Sequence, residues 1–265
     1  FEIQDDMSDR LAKALSLTLT EVEQRRVARR YTRSCVAYDL FLQGRAQLLV
    51  RREAENEEAR HLYLQAIAED PIFARAYAGL ALTYAAEYRN QWESDGAAAL
   101  ACALDIAETA VEIDPSLPEA QWALAYVKDQ QRRHEEALEH LDQALRIAPR
   151  FADALALKAG IKTYIGAPDE TVPLIREAMR LDPSAGYLYF MILGRAYFFA
   201  GDQDQAIINL REAASRNPEM LEVRIFLAAA LERGGRHDEA AWEAQEILAI
   251  RPDFSAEAWL ETHPM

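Results

Sequence analysis

Six prolines constrain what this chain can become. Pro71, Pro115, Pro149, Pro183, Pro218 and Pro252 follow one another at intervals of 44, 34, 34, 35 and 34 residues. An alanine stands five residues before each of the first five: Ala66, Ala110, Ala144, Ala178 and Ala213. A second alanine stands twelve before most of them, at Ala59, Ala103, Ala137, Ala206 and Ala240, with Thr171 in the fourth unit. Proline lacks a backbone N–H and ends a helix, so the spacing marks a recurring helix terminus. The stretch Tyr187–Pro218 shows the whole unit. Phe190, Leu193, Gly194 and Tyr197 share one helical face, Gly201–Asp202 breaks the pattern, and Ala206, Leu210 and Ala213 share a second face. A helix pair of this size cannot bury its apolar stripe alone and needs neighbours of the same shape.

A 34-residue helix–turn–helix period with late Ala and Pro is the tetratricopeptide signature. The chain resembles the tetratricopeptide-repeat (TPR) family over about residues 34–252. The resemblance implies an all-α fold, a right-handed superhelical TPR solenoid of about six helix pairs. Residues 1–33 are expected to form an N-terminal helical junction, and 34–252 the six repeats. In 253–265, Phe254, Ala258, Trp259 and Leu260 begin another apolar run, expected to start a capping helix over the last face.

Composition bears on partners. The formal net charge of −15 disfavours nucleic acid, whose phosphates call for a basic surface. It equally disfavours an anionic membrane surface. No apolar run reaches membrane-spanning length, and no signal sequence opens the chain. Two cysteines, Cys35 and Cys102, are too few for a disulfide framework, and the expectation is a reducing, cytoplasmic setting. The first residue is Phe1, which reads as the start of an excised piece of a longer protein.

The lead-in carries a second resemblance. Ile3, Met7, Leu11, Ala14 and Leu15 form one helical stripe, and Thr20 with Glu23 has the spacing of a capping box. Arg25, Arg26, Arg29, Arg30 and Arg33 then face Glu21 and Glu23, a solvated face or a basic contact strip. Phe1, Ile3, Gln4 and Asp5, followed by Ala37, Tyr38, Asp39, Leu42, Gly44 and Arg45, resemble a junction in bacterial adenylate/guanylate cyclase-like signalling proteins with TPR tails. Winged-helix transcriptional regulators share the arrangement. The resemblance implies an upstream effector domain but brings no catalytic residue with it.

The second unit departs from the period. Tyr84 and Ala103 are nineteen apart, where Tyr197 and Ala206 are nine apart. The ten extra residues, near 87–97, are expected to lengthen each helix by about a turn and a half. Ser94–Asp95 would cap the second helix, and Trp92 would lie near a protruding tip, as a contact for a partner or folded back on its own pair.

Catalytic, cofactor and metal sites are not expected. In HEEALEH, His134 and His140 are six apart rather than four, so they do not share the metal-binding face of an HExxH helix. They are read as part of a solvated charged surface. Gly-rich phosphate loops are absent, and neither cysteine has a local catalytic signature. The TPR resemblance instead implies a concave groove lined by the second, fifth, ninth and twelfth residues of each unit's first helix. These include Trp122 and Tyr126, Gly160 and Thr163, then Leu188, Met191, Arg195 and Phe198, with Tyr164 and Phe199 at the edge. Aromatics, a methionine and one arginine would seat a short peptide or partner helix. The expected function is a non-catalytic protein-interaction and regulatory module of a signalling protein. The alternatives are a purely structural solenoid that serves dimerisation, and the tail of a winged-helix regulator.

Overall fold

In the computed structural model the described residues are 31–92, 95–183 and 186–263. The expected lead-in stripe, the capping box of Thr20 and Glu23, and the arginine strip of 25–30 lie outside them. Within them the chain is all-helical. The helices run in consecutive antiparallel pairs: α1 (Cys35–Leu48) with α2 (Glu53–Glu69), α3 (Ala74–Asn90) with α4 (Gly96–Ile113), and α5 (Pro118–Gln130) with α6 (His134–Ile147). Then follow α7 (Ala152–Tyr164) with α8 (Pro168–Leu181), α9 (Tyr187–Ala200) with α10 (Gln203–Arg216), and α11 (Leu221–Arg233) with α12 (His237–Ile250). A short helix, α13 (Ala256–Thr262), comes last.

The recurring alanines are where the pairs cross. Ala66, Ala110, Ala144, Ala178 and Ala213 have no exposed surface, and neither do Ala59, Ala103, Ala137, Ala206 and Thr171. Each late alanine also ends its helix in the same way. The N–H groups of Asp70, Asp114, Ala148, Asp182 and Asn217 donate to the carbonyls of Ala66, Ala110, Ala144, Ala178 and Ala213, and the proline that follows blocks another turn. The sixth unit repeats the bond with Ile247 as acceptor. Thr171 fits an alanine position because its hydroxyl is satisfied, donating to the Ala159 carbonyl at 2.9 Å.

Close crossings need glycine twice. A Cβ on Gly194 would sit 2.7 Å from Leu210 Cγ, and one on Gly79 would sit 2.5 Å from the Tyr63 ring. Side-chain caps open four helices, from Ser34, Asp95, Asp202 and Ser255. Asp95 is therefore the cap at the insertion.

That insertion is shorter in effect than expected. At 17 residues α3 is four longer than α5, and at 18 residues α4 is four longer than α6. Each gains about one turn rather than one and a half, and the remainder forms the connection. The turn carries Gln91 in the left-handed region, φ 55°.

The histidines are not on a solvated face. His134 Nδ1 lies 3.2 Å from Asp129 Oδ1 and His140 Nδ1 2.8 Å from Gln121 Oε1, and both residues are half-buried. Burial of His140 and the nearby Lys128 ammonium lower its pKa. Satisfied local pairs account for both.

Candidate functional site: a bridged trough

The turns inside the helix pairs fall into two classes. In units four, five and six the left-handed residue is glycine: Gly166, Gly201 and Gly235. In units one, two and three it is Arg51, Gln91 and Arg132, with φ of 61°, 55° and 60°. A side chain in this region costs about 1–2 kcal/mol, and each of these three reaches a unit four further along. Arg51 donates to Tyr187 Oη at 2.9 Å, at the start of α9. Gln91 accepts from Arg251 at 2.8 Å, just past α12, and Arg251 also donates to the Asn90 carbonyl at 3.1 Å. Arg132 donates to the carbonyls of Leu260, Glu261 and His263 at 2.9, 3.1 and 2.9 Å. The winding thus brings each early turn against the unit four places on, and arginines span the trough between them.

At the centre lies a buried ionic cluster. Glu222, at the start of α11, is only 2% exposed. Its carboxylate accepts from Arg89 of α3 and, at 2.7 Å, from Arg195 of α9. Burial alone would raise its pKa, but the positive fields of Arg89 and Arg195 outweigh that and hold it at about 2. Arg89 also donates to Gln130 Oε1 at 3.3 Å. Arg195 donates to Tyr164 Oη, and its guanidinium stacks 4.2 Å from the centre of that ring. Burial pushes the Tyr164 hydroxyl up to about 12 against the pull of Arg195. A doubly contacted carboxylate of this kind ties three units together.

Of the residues expected to line the groove, this cluster holds Arg195 and Tyr164; Arg195 is only 3% exposed and is taken up by its bonds to Glu222 and Tyr164. Tyr126 stands close by, its hydroxyl pKa raised by burial and countered by Arg89. Trp122 stacks on Tyr126, with ring centres 6.4 Å apart, and packs against Phe151 at 6.0 Å, and its indole N–H is buried without a hydrogen-bond partner. Phe198 is half-buried and edge-on to Phe199 and Phe226. Leu188 is half-buried between two core clusters. Met191 is a correction: at 2% exposed it packs with Ala206, Leu210 and Leu227 in the core and presents no side chain to a ligand. Trp92 is half-buried and follows Gln91, whose side chain bonds to Arg251 of the sixth unit.

The residues that close the trough were missed in part. Glu222 is the second residue of α11, the position expected to face the groove, so extending the register to the sixth unit finds it. Arg89 lies in the extra turn of α3, which no register covers. Among the described residues no three His, Cys, Asp or Glu side chains group as metal ligands, and no helix is long and apolar enough to cross a membrane.

Comparisons with known proteins agree with this architecture. Family models described as tetratricopeptide repeat match residues 118–151 and 193–255. A Rhizobium meliloti (strain 1021) protein named "Putative adenylate cyclase 3" is 31% identical over 137 residues, which is 52% of this chain and 23% of the relative. The chain thus spans less than a quarter of that protein's length. Among solved structures, a thermophilic TPR protein of Thermus thermophilus superposes with a TM-score of 0.58 at 20% identity, covering 74% of this chain and 98% of that one. The human IFIT1 dimer with m7Gppp-AAAA superposes with a TM-score of 0.70 at 18% identity, covering 92% of this chain and 55% of the other. The chain carries tetratricopeptide repeats and folds as a solenoid of that class, and over about half of its length it is similar to a protein named as a putative adenylate cyclase.

Proposed function

We propose that the chain is a non-catalytic interaction and regulatory module of a cyclase-like signalling protein, receiving a partner helix in its trough. The observation that carries this reading is the inner wall: Phe198, Phe199 and Phe226 form one edge-on aromatic cluster, with ring centres 5.3–6.1 Å apart, and Phe199 is 44% exposed. An aromatic wall beside fixed charges is the chemistry that seats an amphipathic helix. In this reading a bound helix strains or relieves the Arg89–Glu222 bridge and so repositions an upstream effector domain. In this reading the setting is cytoplasmic and nucleic acid is not the partner, because the chain is acidic and Glu222 already engages Arg89 and Arg195. Panning a helical-peptide library against the chain tests the reading. Enriched amphipathic helices that lose binding on Phe199→Ala support it, and an absence of binders, or binders indifferent to Phe199→Ala and Phe198→Ala, overturns it.

A second reading has its own observation. The walls of the trough are bonded to each other at Arg51–Tyr187, Arg89–Glu222 and Gln91–Arg251. A solenoid closed in this way would serve structure or dimerisation alone. Light scattering that gives a constitutive dimer, together with failed panning, would favour it.

A further inference from the structure

The seat opposite unit three differs from the other two that the winding creates. Arg51 meets unit five and Gln91 meets unit six, each a helix pair, and Arg132 meets α13, seven residues long. Two turns of helix do not persist alone in water. Among the described side chains of α13 and the residue after it, Trp259 and His263 are buried, one turn apart on one face, while Glu257, Ala258, Leu260 and Glu261 are exposed. Trp259 lies edge-on to Phe226 at 5.9 Å, over the aromatic wall of the trough. The His263 ring stacks on it at 3.6 Å and donates from Nδ1 to the Trp259 carbonyl at 2.7 Å. Arg132 takes up the free carbonyls at the end of the helix, as a cation does at the negative end of a helix dipole. An open pocket of about 260 Å³ lies where α13 begins, lined by Gln91, Arg251, Phe254 and Trp259 among others.

A short element held by one large anchor, one ring and one arginine clasp, beside an open pocket, belongs to the weakly held end of a structure. We propose that α13 is an exchangeable occupant of the trough, and that the external partner is a helix of the same chemistry: a tryptophan and a histidine four apart, with the free carbonyls of its last turn facing Arg132. The partner takes the seat when α13 leaves it. This rests on the trough being a helix-binding site and adds what the site recognises and what blocks it.

The test uses a fluorescein-labelled peptide of residues 255–265, SAEAWLETHPM, and the full chain. Trp259→Ala removes the anchor from the resident helix and leaves the seat intact. The peptide is expected to bind that variant at least tenfold more tightly than the unsubstituted chain. Adding Arg132→Ala, or replacing the peptide's tryptophan with alanine, is expected to undo the gain. His263→Ala is the second opening variant and is expected to act in the same direction. Equal binding to the variant and the parent, or no binding to a Trp259→Ala chain whose helicity and unfolding midpoint are retained, overturns the proposal. So does global unfolding of both variants, which would make α13 a part of the core. Library binders that hold the parent and the opened chain equally would end this inference while sparing the helix-binding reading; no binders to either chain would end both.

Discussion

Arg89 of α3 and Glu222 of α11, 133 residues apart in sequence, meet across the trough, and Arg195 of α9 contacts the other oxygen of the same carboxylate. One buried negative charge thus holds two buried positive ones. The consequences of removing each member differ in a calculable order.

Glu222→Gln leaves two guanidinium groups without a counter-charge and is expected to cost about 3–5 kcal/mol. Arg89→Met leaves Glu222 paired with Arg195, a balanced pair, and is expected to cost less. Urea unfolding orders the two. Small-angle scattering should show a larger radius for Arg89→Met, because the buried one of the links from unit two to unit six is gone while the helix pairs persist. Equal losses for the two variants would show that the stability of the three groups does not follow their charge count.

The crossing of α9 and α10 gives a packing prediction. A Cβ at position 194 would meet Leu210 Cγ at 2.7 Å and the Ala206 carbonyl at 3.2 Å. Gly194→Ala is expected to destabilise by about 1–3 kcal/mol, and Gly194→Leu by at least as much. Gly186 has open space around it and an ordinary φ of −73°, so Gly186→Ala should stay within about 0.5 kcal/mol. Thermal unfolding of the three variants decides the matter.

The three left-handed side chains predict a trade between backbone and contact. Arg132→Gly relieves about 1–2 kcal/mol of backbone strain and removes the clasp on α13. The expected result is an unfolding midpoint that holds or rises while amide-exchange protection in 256–263 collapses. Arg132→Ala removes the clasp without relieving the strain and should lower both.

The docking of α13 should depend on pH. Burial lowers the His263 pKa from 6.5 to about 4, with Glu222 pulling it partly back. The group is neutral in the folded state and protonated in the released state between these values, so docking is weakened as pH falls from about 6.5 to about 4. Its contribution is complete above the upper value, with a loss on the order of 3 kcal/mol across the window. Glu222 acts lower: its folded pKa of about 2 lies beneath the ordinary 4.5, so its contribution is lost as pH falls from about 4.5 to about 2. The difference in tryptophan emission between the chain and its Trp259→Phe variant, followed from pH 7 to pH 3, reports the first event. A flat difference through pH 6.5–4 would count against it.

Much of the fold could be read in the sequence because its determinants are local. The bond from each cap N–H to the alanine carbonyl, and the proline that stops the next turn, lie within six residues of each other, and they recur. The trough was harder to read. Register brought Arg195 forward and left Tyr164 one step off, at the edge; Arg195 at 3% exposed and Met191 at 2% are both buried, Arg195 in the ionic cluster and Met191 in the apolar core. His140 looked solvated because its partner, Gln121, lies nineteen residues away on the neighbouring helix. The Arg51, Gln91 and Arg132 contacts depend on where a turn arrives after four units of winding, and no short-range pattern encodes that.

The extra turn of α3 has a wider consequence. In a simple array of repeats each unit answers only to its neighbours, and the ends can melt independently of the middle. Arg89, Asn90 and Gln91, supplied by the least periodic part of the chain, tie unit two to unit six. That link turns a line of hairpins into a loop, in which strain at one end is felt at the other and melting is cooperative along the whole length.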